Sequence, residues 1–253
     1  MKKLISIICA AAVFISVAVC CVTFFSENKA KQSIPSTTNT VFETAEVSTE
    51  EAAEESQHSN INRASAMADY AVVYESEEEK LSDNKLSVVS GKVIKTEVVL
   101  SESVYTCCTV KINKVIKGNF DTDEILVLEP GGFLDSERAE KFMDKPGAKS
   151  PDGMYVDYDG YVPAAVGDEV IFFVYKCEPW ESISKVVDYK NAYHTAGCVQ
   201  GKLTLKNGKY VSATPAKLVE SFKNTDYKIS IKSFAPAEFE QMAKRTIRLA
   251  ETK

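Results

Sequence analysis

The chain has 253 residues, 45% of them hydrophobic, which is enough for one or two domains with a real core. Its formal net charge is −6, and that balance argues against a nucleic-acid partner, because phosphate binding needs clustered Lys and Arg. Much of the acidity is local: Glu43, Glu46, Glu50, Glu51, Glu54 and Glu55 stand together with no basic residue among them.

The N-terminus carries Lys2 and Lys3, followed by an uncharged apolar run, Leu4–Phe25. As a helix this run reaches roughly 33 Å, enough to cross a bilayer core of about 30 Å. The flanking positive charges predict that the bulk of the chain lies extracytoplasmic. Residues 1–25 therefore read as an uncleaved signal anchor or as a signal peptide cleaved near Ala18-Val19-Cys20. A variant of the cleaved reading is a lipid anchor on Cys20 or Cys21, although Val19 stands where a lipobox wants a small residue. The predicted location is the cell membrane, with a lipid-anchored or secreted form as the alternatives.

Residues 26–66 are rich in Ser, Thr, Glu, Ala, Asn and Gln and poor in large apolar side chains. Such a segment cannot offset its own conformational entropy by burial, and it reads as a disordered acidic linker. The folded domain is expected over 67–253. Ala71–Tyr74 suits a short strand or a helix end. Ser76-Glu77-Glu78-Glu79 has the capping-box spacing and predicts a two-turn helix ending near Asp83-Asn84.

Five β runs follow. They are Leu86–Leu100, Val104–Ile116, Glu124–Leu128, Glu169–Lys176 and Val199–Leu205, each rich in β-branched residues and bounded by turn signals. Gly91 inside the first suggests a bulge or a sharp bend. A short run, Lys209–Ser212, returns across Asn207-Gly208, a strong hairpin signal. The connection 133–168 is long, with one helix expected at Ser136–Met143. The chain closes in a helix from Pro236, with Phe239, Met242, Ala243, Thr246 and Leu249 on one face and Lys244, Arg245 and Arg248 on the other. Five β runs with one long excursion suit a closed or nearly closed Greek-key sheet, and a sandwich would also fit. Val89, Val93, Val110, Ile112, Leu126, Phe173 and Leu203 are the expected contributors to one core.

Several phrases carry a resemblance: Tyr74-Glu75-Ser76-Glu77-Glu78-Glu79, Ser82-Asp83, Val88-Val89-Ser90-Gly91-Lys92-Val93, Tyr105-Thr106, Val110-Lys111-Ile112, Val115-Ile116-Lys117-Gly118, Glu129-Pro130-Gly131-Gly132, Val166-Gly167-Asp168-Glu169-Val170 and Val199-Gln200-Gly201-Lys202. In this order, from about Tyr74 to Tyr210, they resemble uncharacterised exported proteins of Gram-positive bacteria. In that group a signal or anchor segment precedes a small OB-like β-barrel. The resemblance implies a mainly β fold, a five-stranded OB-like barrel with a short N-terminal and a C-terminal helix, and an extracytoplasmic location. It implies no catalytic residue.

Candidate chemistry is sparse. His194 is the one histidine of the expected domain, near Thr195 and Cys198, but neighbours in sequence do not make a triad. Cys107, Cys108, Cys177 and Cys198 lack the paired spacing of a zinc site. They read as small buried hydrophobes, with one disulfide as the alternative. Asp157-Tyr158-Asp159-Gly160 resembles part of a calcium loop, but Tyr155 and Val166 fall where that loop needs carboxylates, so it reads as a turn. No metal site and no cofactor is predicted. Tyr155, Tyr158 and Tyr161 crowd the long connection and Trp180 follows the fourth run. These four are the candidate ligand-binding residues, because Tyr and Trp supply stiff amphipathic contact area. The expected function is a non-enzymatic binding or interaction module, with a cell-envelope enzyme or enzyme inhibitor as the alternative. The expected partners are the membrane, through the N-terminal segment, and a cell-wall component or envelope protein.

Overall fold

The computed structural model describes residues 62–66, 72–143, 152–179 and 181–252. The predicted membrane segment, most of the acidic linker and Trp180 lie outside the described residues. In chain order the elements begin with β1 (Asn62–Ala66), α1 (Glu77–Ser82), β2 (Ser87–Leu100), β3 (Val104–Lys117) and β4 (Glu124–Pro130). There follow β5 (Gly132–Leu134), α2 (Ser136–Met143), β6 (Met154–Tyr158), β7 (Glu169–Lys176) and β8 (Ala192–Thr195). The last are β9 (Lys202–Lys206), β10 (Lys209–Ser212), α3 (Ala216–Phe222), β11 (Ser233–Phe234) and α4 (Pro236–Glu251). The fold is mainly β, as expected, and it ends in the expected helix.

Local signals act where the sequence puts them. The Ser76 hydroxyl accepts from the Glu79 N–H at 3.2 Å, satisfying a helix-end donor. Glu79 reaches back to the N–H of Glu75 at 2.6 Å, one residue earlier than a capping box places it. At Gly91 the β2–β3 register shifts, and a Cβ there would lie 2.5 Å from the Lys111 carbonyl oxygen. Glycine thus permits a close approach of two backbones at a bulge. β9 and β10 are joined through Asn207 and Gly208, both at positive φ.

Eight strands form one sheet in the order β11-β10-β9-β7-β2-β3-β4-β8, and an added β7–β8 pairing closes a hydrogen-bonded ring of five: β2, β3, β4, β8 and β7. The fifth member is Ala192–Thr195, whereas the expected fifth run supplies β9, which pairs with β7 outside the ring. β7 serves both partners along one edge. Its first half pairs with β9 and its last three residues with β8. The handover falls at Phe173, whose N–H donates to the Gly201 carbonyl at 2.9 Å and whose carbonyl accepts from Ala196 N–H at 2.8 Å. A Cβ on Gly201 would meet the Ala196 nitrogen at 2.4 Å, so only glycine fits where the two strands exchange.

The described part of the long connection carries strands of its own. β5 and β6 pair within it, and β1 adds in parallel to β6. β1 comes from the last five residues of the stretch assigned to the linker, so the folded region reaches back at least to Asn62.

The expected core members divide among three clusters instead of one. Val89, Val93 and Val110 lie in the cluster shared by all five ring strands, with Ile112 packed against it. Phe173 and Leu203 pack on the opposite face with Leu81 of α1 and Phe239 and Ala243 of α4. Leu126 packs with Cys107 and Leu128, while its neighbours Ile125 and Val127 face the ring. On β4 the expected inward set is therefore one residue out of phase, which reverses every side chain of a strand.

Candidate functional site

Of the predicted tyrosines, Tyr158 packs against the cluster that holds Tyr161, and Tyr155 stands apart from it. Tyr155 and Tyr158 sit three apart on β6, and the period of two sends them to opposite faces. Tyr155 lies under the Arg63 guanidinium, 5.7 Å from the ring centroid, and Tyr158 packs into the small core below the β1-β6-β5 sheet. The segment after β6 is the expected turn: Asp157 Oδ1 accepts from Gly160 N–H at 2.8 Å.

Tyr161 is 1% exposed and belongs to a buried polar node. Its hydroxyl donates to Glu129 Oε1 in a short hydrogen bond. Lys202 Nζ lies 2.7 Å from the same oxygen, 2.8 Å from the Val162 carbonyl oxygen and 4.7 Å from the Tyr161 ring centroid. Glu129 Oε2 accepts from Ala164 N–H at 2.8 Å and from the Cys108 thiol at 3.2 Å. Burial, then the Glu129 carboxylate, pushes both the Tyr161 hydroxyl and the Cys108 thiol well above their ordinary values. With its charges paired and its lone pairs occupied, the node reads as architecture.

A cleft of about 480 Å³ opens elsewhere, over the far face of the ring seam. Strand pairing explains its wall. Tyr105 of β3 stands opposite Pro130 of β4, Leu128 of β4 opposite His194 of β8, and His194 opposite Tyr175 of β7. Tyr175 stacks on His194 at 5.3 Å and Tyr105 meets it edge-on at 6.0 Å. Tyr74 completes the opposite rim, donating to Asp83 Oδ2 at 2.7 Å. Tyr74 is itself clamped by Gln200, whose amide accepts from the Tyr74 N–H at 3.0 Å and donates to its carbonyl at 2.8 Å.

Electrostatics follow from depth. Burial, then the Glu181 charge, raises the Tyr175 hydroxyl to about 12, and burial raises Tyr105 further. Burial opposes ionisation of Asp83, but hydrogen bonds from Lys85 N–H and Tyr74, with the Lys117 charge, hold its carboxyl below the usual range.

Behind the wall, Glu181 Oε2 makes a short hydrogen bond to His194 Nε2, and the Cys177 thiol lies 3.6 Å from the same oxygen. The imidazole is thus held by a carboxylate, as a catalytic base would be, and the sequence reading missed that partner. No signal in the sequence joins Glu181 to His194, because β8 is too short to show a period. No family model matches the chain, and no curated protein matches it.

The four described cysteines are free thiols. Burial raises Cys107 to about 11 and Cys177 and Cys198 to about 12, from an ordinary 9.0. A thiol so shifted presents on the order of 100- to 1,000-fold less thiolate at pH 8. Ellman's reagent should therefore react with these thiols far more slowly in the folded chain than after unfolding, and reaction at the free-thiol rate would contradict their burial. A group with a raised folded pKa stabilises fully below its unfolded value and loses that contribution as pH rises through the folded one. The melting temperature should accordingly fall between about pH 9 and 12.

Proposed function

We propose that this chain is a membrane-anchored extracytoplasmic binding module whose ligand occupies the cleft walled by Tyr74, Tyr105, Tyr175 and His194. The carrying observation is that cleft: three tyrosine rings and an imidazole converge on it from four separate parts of the chain. A concave, mostly apolar and aromatic wall with a few fixed polar groups is the usual form of a small-ligand site. The anchored location rests on the length of Leu4–Phe25 and its flanking lysines. The five-strand ring supports the finer reading of an OB-like barrel, and barrels of that type commonly bind on one face and its loops. The resemblance to exported Gram-positive proteins agrees with both.

A second reading, an envelope enzyme, has one observation in its favour: Glu181 holds the cleft-lining imidazole of His194. No nucleophile is seen bonded to that ring among the described residues.

Soluble cell-wall glycan fragments are the probe for the first reading, because sugar faces stack on tyrosine rings. Titrating them into the full chain in detergent should change tyrosine fluorescence saturably. Tyr175 is 42% exposed, so Tyr175→Ala should leave the fold intact while weakening binding at least ~10-fold. Unchanged affinity in that variant would exclude the cleft. If glycans fail and an envelope protein is captured by the natural chain but not by Tyr175→Ala, the ligand is a protein. Recovery of mature chain in the culture medium, beginning near Cys21 or Ser26, would overturn the anchored location.

A further inference from the structure

We infer that Cys177, Glu181 and His194 form a mononuclear site for a borderline divalent transition metal, zinc(II) foremost. Their donor atoms all lie within 4.8 Å of one another. Among the described residues this is the one group of three or more His, Cys, Asp or Glu side chains that meets that condition. A thiolate, an imidazole and a carboxylate are the donor set that suits zinc rather than calcium or magnesium. Zinc bonds of about 2.3 Å to sulfur and about 2.0–2.2 Å to nitrogen or oxygen place tetrahedral donors roughly 3.3–3.7 Å apart. The separation between Cys177 Sγ and Glu181 Oε2 is 3.6 Å.

Backbone pairing brings the donors together. Cys177 directly follows β7, and its N–H donates to the Ala192 carbonyl at 2.9 Å, so it stands beside the start of β8. His194 is two residues further along β8. Glu181 closes the turn between them, its Oε1 fixed by the Glu178 N–H at 3.1 Å. The Tyr175 ring stacked on His194 sets the imidazole plane. Glu181 is thus oriented by an outer hydrogen bond and His194 by a stacked ring, and outer contacts of this kind position metal ligands.

Cys177 is 2% exposed, and its thiol makes only long contacts, to Glu181 at 3.6 Å and to the Glu178 carbonyl at 3.9 Å. Metal entry replaces these with a bond. The thiol gives up its proton to solvent, and His194 binds through Nε2 with its remaining proton on Nδ1. The hydrogen bond between His194 and Glu181 opens as the ion takes its place. Three protein donors leave a fourth position for water. Glu181, with its side chain 28% exposed, marks the way in. The site would pin β7 to β8 where the five-strand ring closes, and it stands whether or not the cleft binds a glycan.

Cobalt(II) is the probe. The full chain, purified under reducing conditions and stripped with chelator, should bind one equivalent with a thiolate-to-cobalt charge-transfer band. Cys177→Ser should abolish that band. His194→Gln and Glu181→Gln should each weaken zinc binding by more than about 100-fold, since even outer contacts to ligands are worth 10- to 100-fold. Zinc should raise the melting temperature of the natural chain and leave that of Cys177→Ser unmoved. Cys107→Ser and Cys198→Ser keep all three donors and should keep the band. Loss of the band in either of those, its persistence in Cys177→Ser, or absence of binding by the natural chain would each overturn the site. If Cys177→Ser fails to fold, Glu181→Gln decides: unchanged zinc affinity there overturns it as well.

Discussion

Phe173→Ala should destabilise the domain by about 3–5 kcal/mol, and Phe172→Ala by a comparable amount. Adjacent residues on a strand point to opposite faces, so one of two neighbours is usually the exposed one. Here both rings are 0% exposed. Phe172 lies in the cluster shared by the five ring strands, with Val89, Val127 and Val170. Phe173 lies on the other face, edge-on to Phe239 of α4 at 6.3 Å and under Lys80 Nζ at 4.8 Å. β7 is covered on both faces: the other ring strands pack on one, and α1 and α4 pack on the other. Its solid apolar run has the same cause. Urea denaturation of the two variants measures each face separately. A loss below about 1 kcal/mol for Phe173→Ala would mean that α4 does not cover the sheet. The same result for Phe172→Ala would mean that the ring is not filled. Tyr175, on the same strand but half-exposed, should lose much less when truncated, and it serves as the internal control.

What could be read from the sequence divides along a physical line. β2, β3 and β7 were legible because long β-branched runs bounded by turns leave few other structures. β8 was not, since Ala192-Tyr193-His194-Thr195 is too short to display a period and owes its strand to the open edges of β4 and β7. β1, of sequence Asn-Arg-Ala-Ser-Ala, has no apolar pattern and takes its conformation from parallel pairing with β6. The aromatic cleft is hidden from the sequence for a related reason. Of Tyr155, Tyr158 and Tyr161, only the last two pack together, whereas Tyr74, Tyr105 and Tyr175 are far apart in sequence and meet at the cleft, the last two through strand pairing and Tyr74 through the Gln200 clamp. The phrases behind the family resemblance turn out to hold the frame. Gln200 clamps Tyr74, Gly201 lets β8 and β9 exchange on β7, and Glu129 and Lys202 form the buried pair. The sequence reading places Gln200, Gly201 and Lys202 inside the fifth β run and Glu129 just past the third, with no buried role for any of them, because charged side chains normally mean surface.

That buried pair carries the second large expectation. Glu129→Met and Lys202→Met should each cost about 3–5 kcal/mol, because each leaves a charge without its partner in a dry site. The side chains of Lys202 and Glu129 are 3% and 0% exposed. Removing the carboxylate strands the ammonium and also the Tyr161 hydroxyl, the Ala164 N–H and the Cys108 thiol, all of which donate to it. Removing the ammonium leaves a carboxylate held by neutral donors alone. The pair itself need not stabilise the fold, since apolar replacement of both charges is often neutral or better. Glu129→Met with Lys202→Met should therefore lose less than the two single variants summed, with a coupling of about 1–3 kcal/mol in a double-mutant cycle. Strict additivity would mean that the two charges do not meet. The Tyr161 hydroxyl would still lack an acceptor in the double variant, so a residual loss of about 1–3 kcal/mol is expected. Adding Tyr161→Phe to the double variant should recover part of that loss. In the natural chain Tyr161→Phe should instead destabilise, because it takes a donor from an ionised carboxylate. This reversal of sign is the strongest check on the node, because a tyrosine that only filled space would respond alike in both backgrounds.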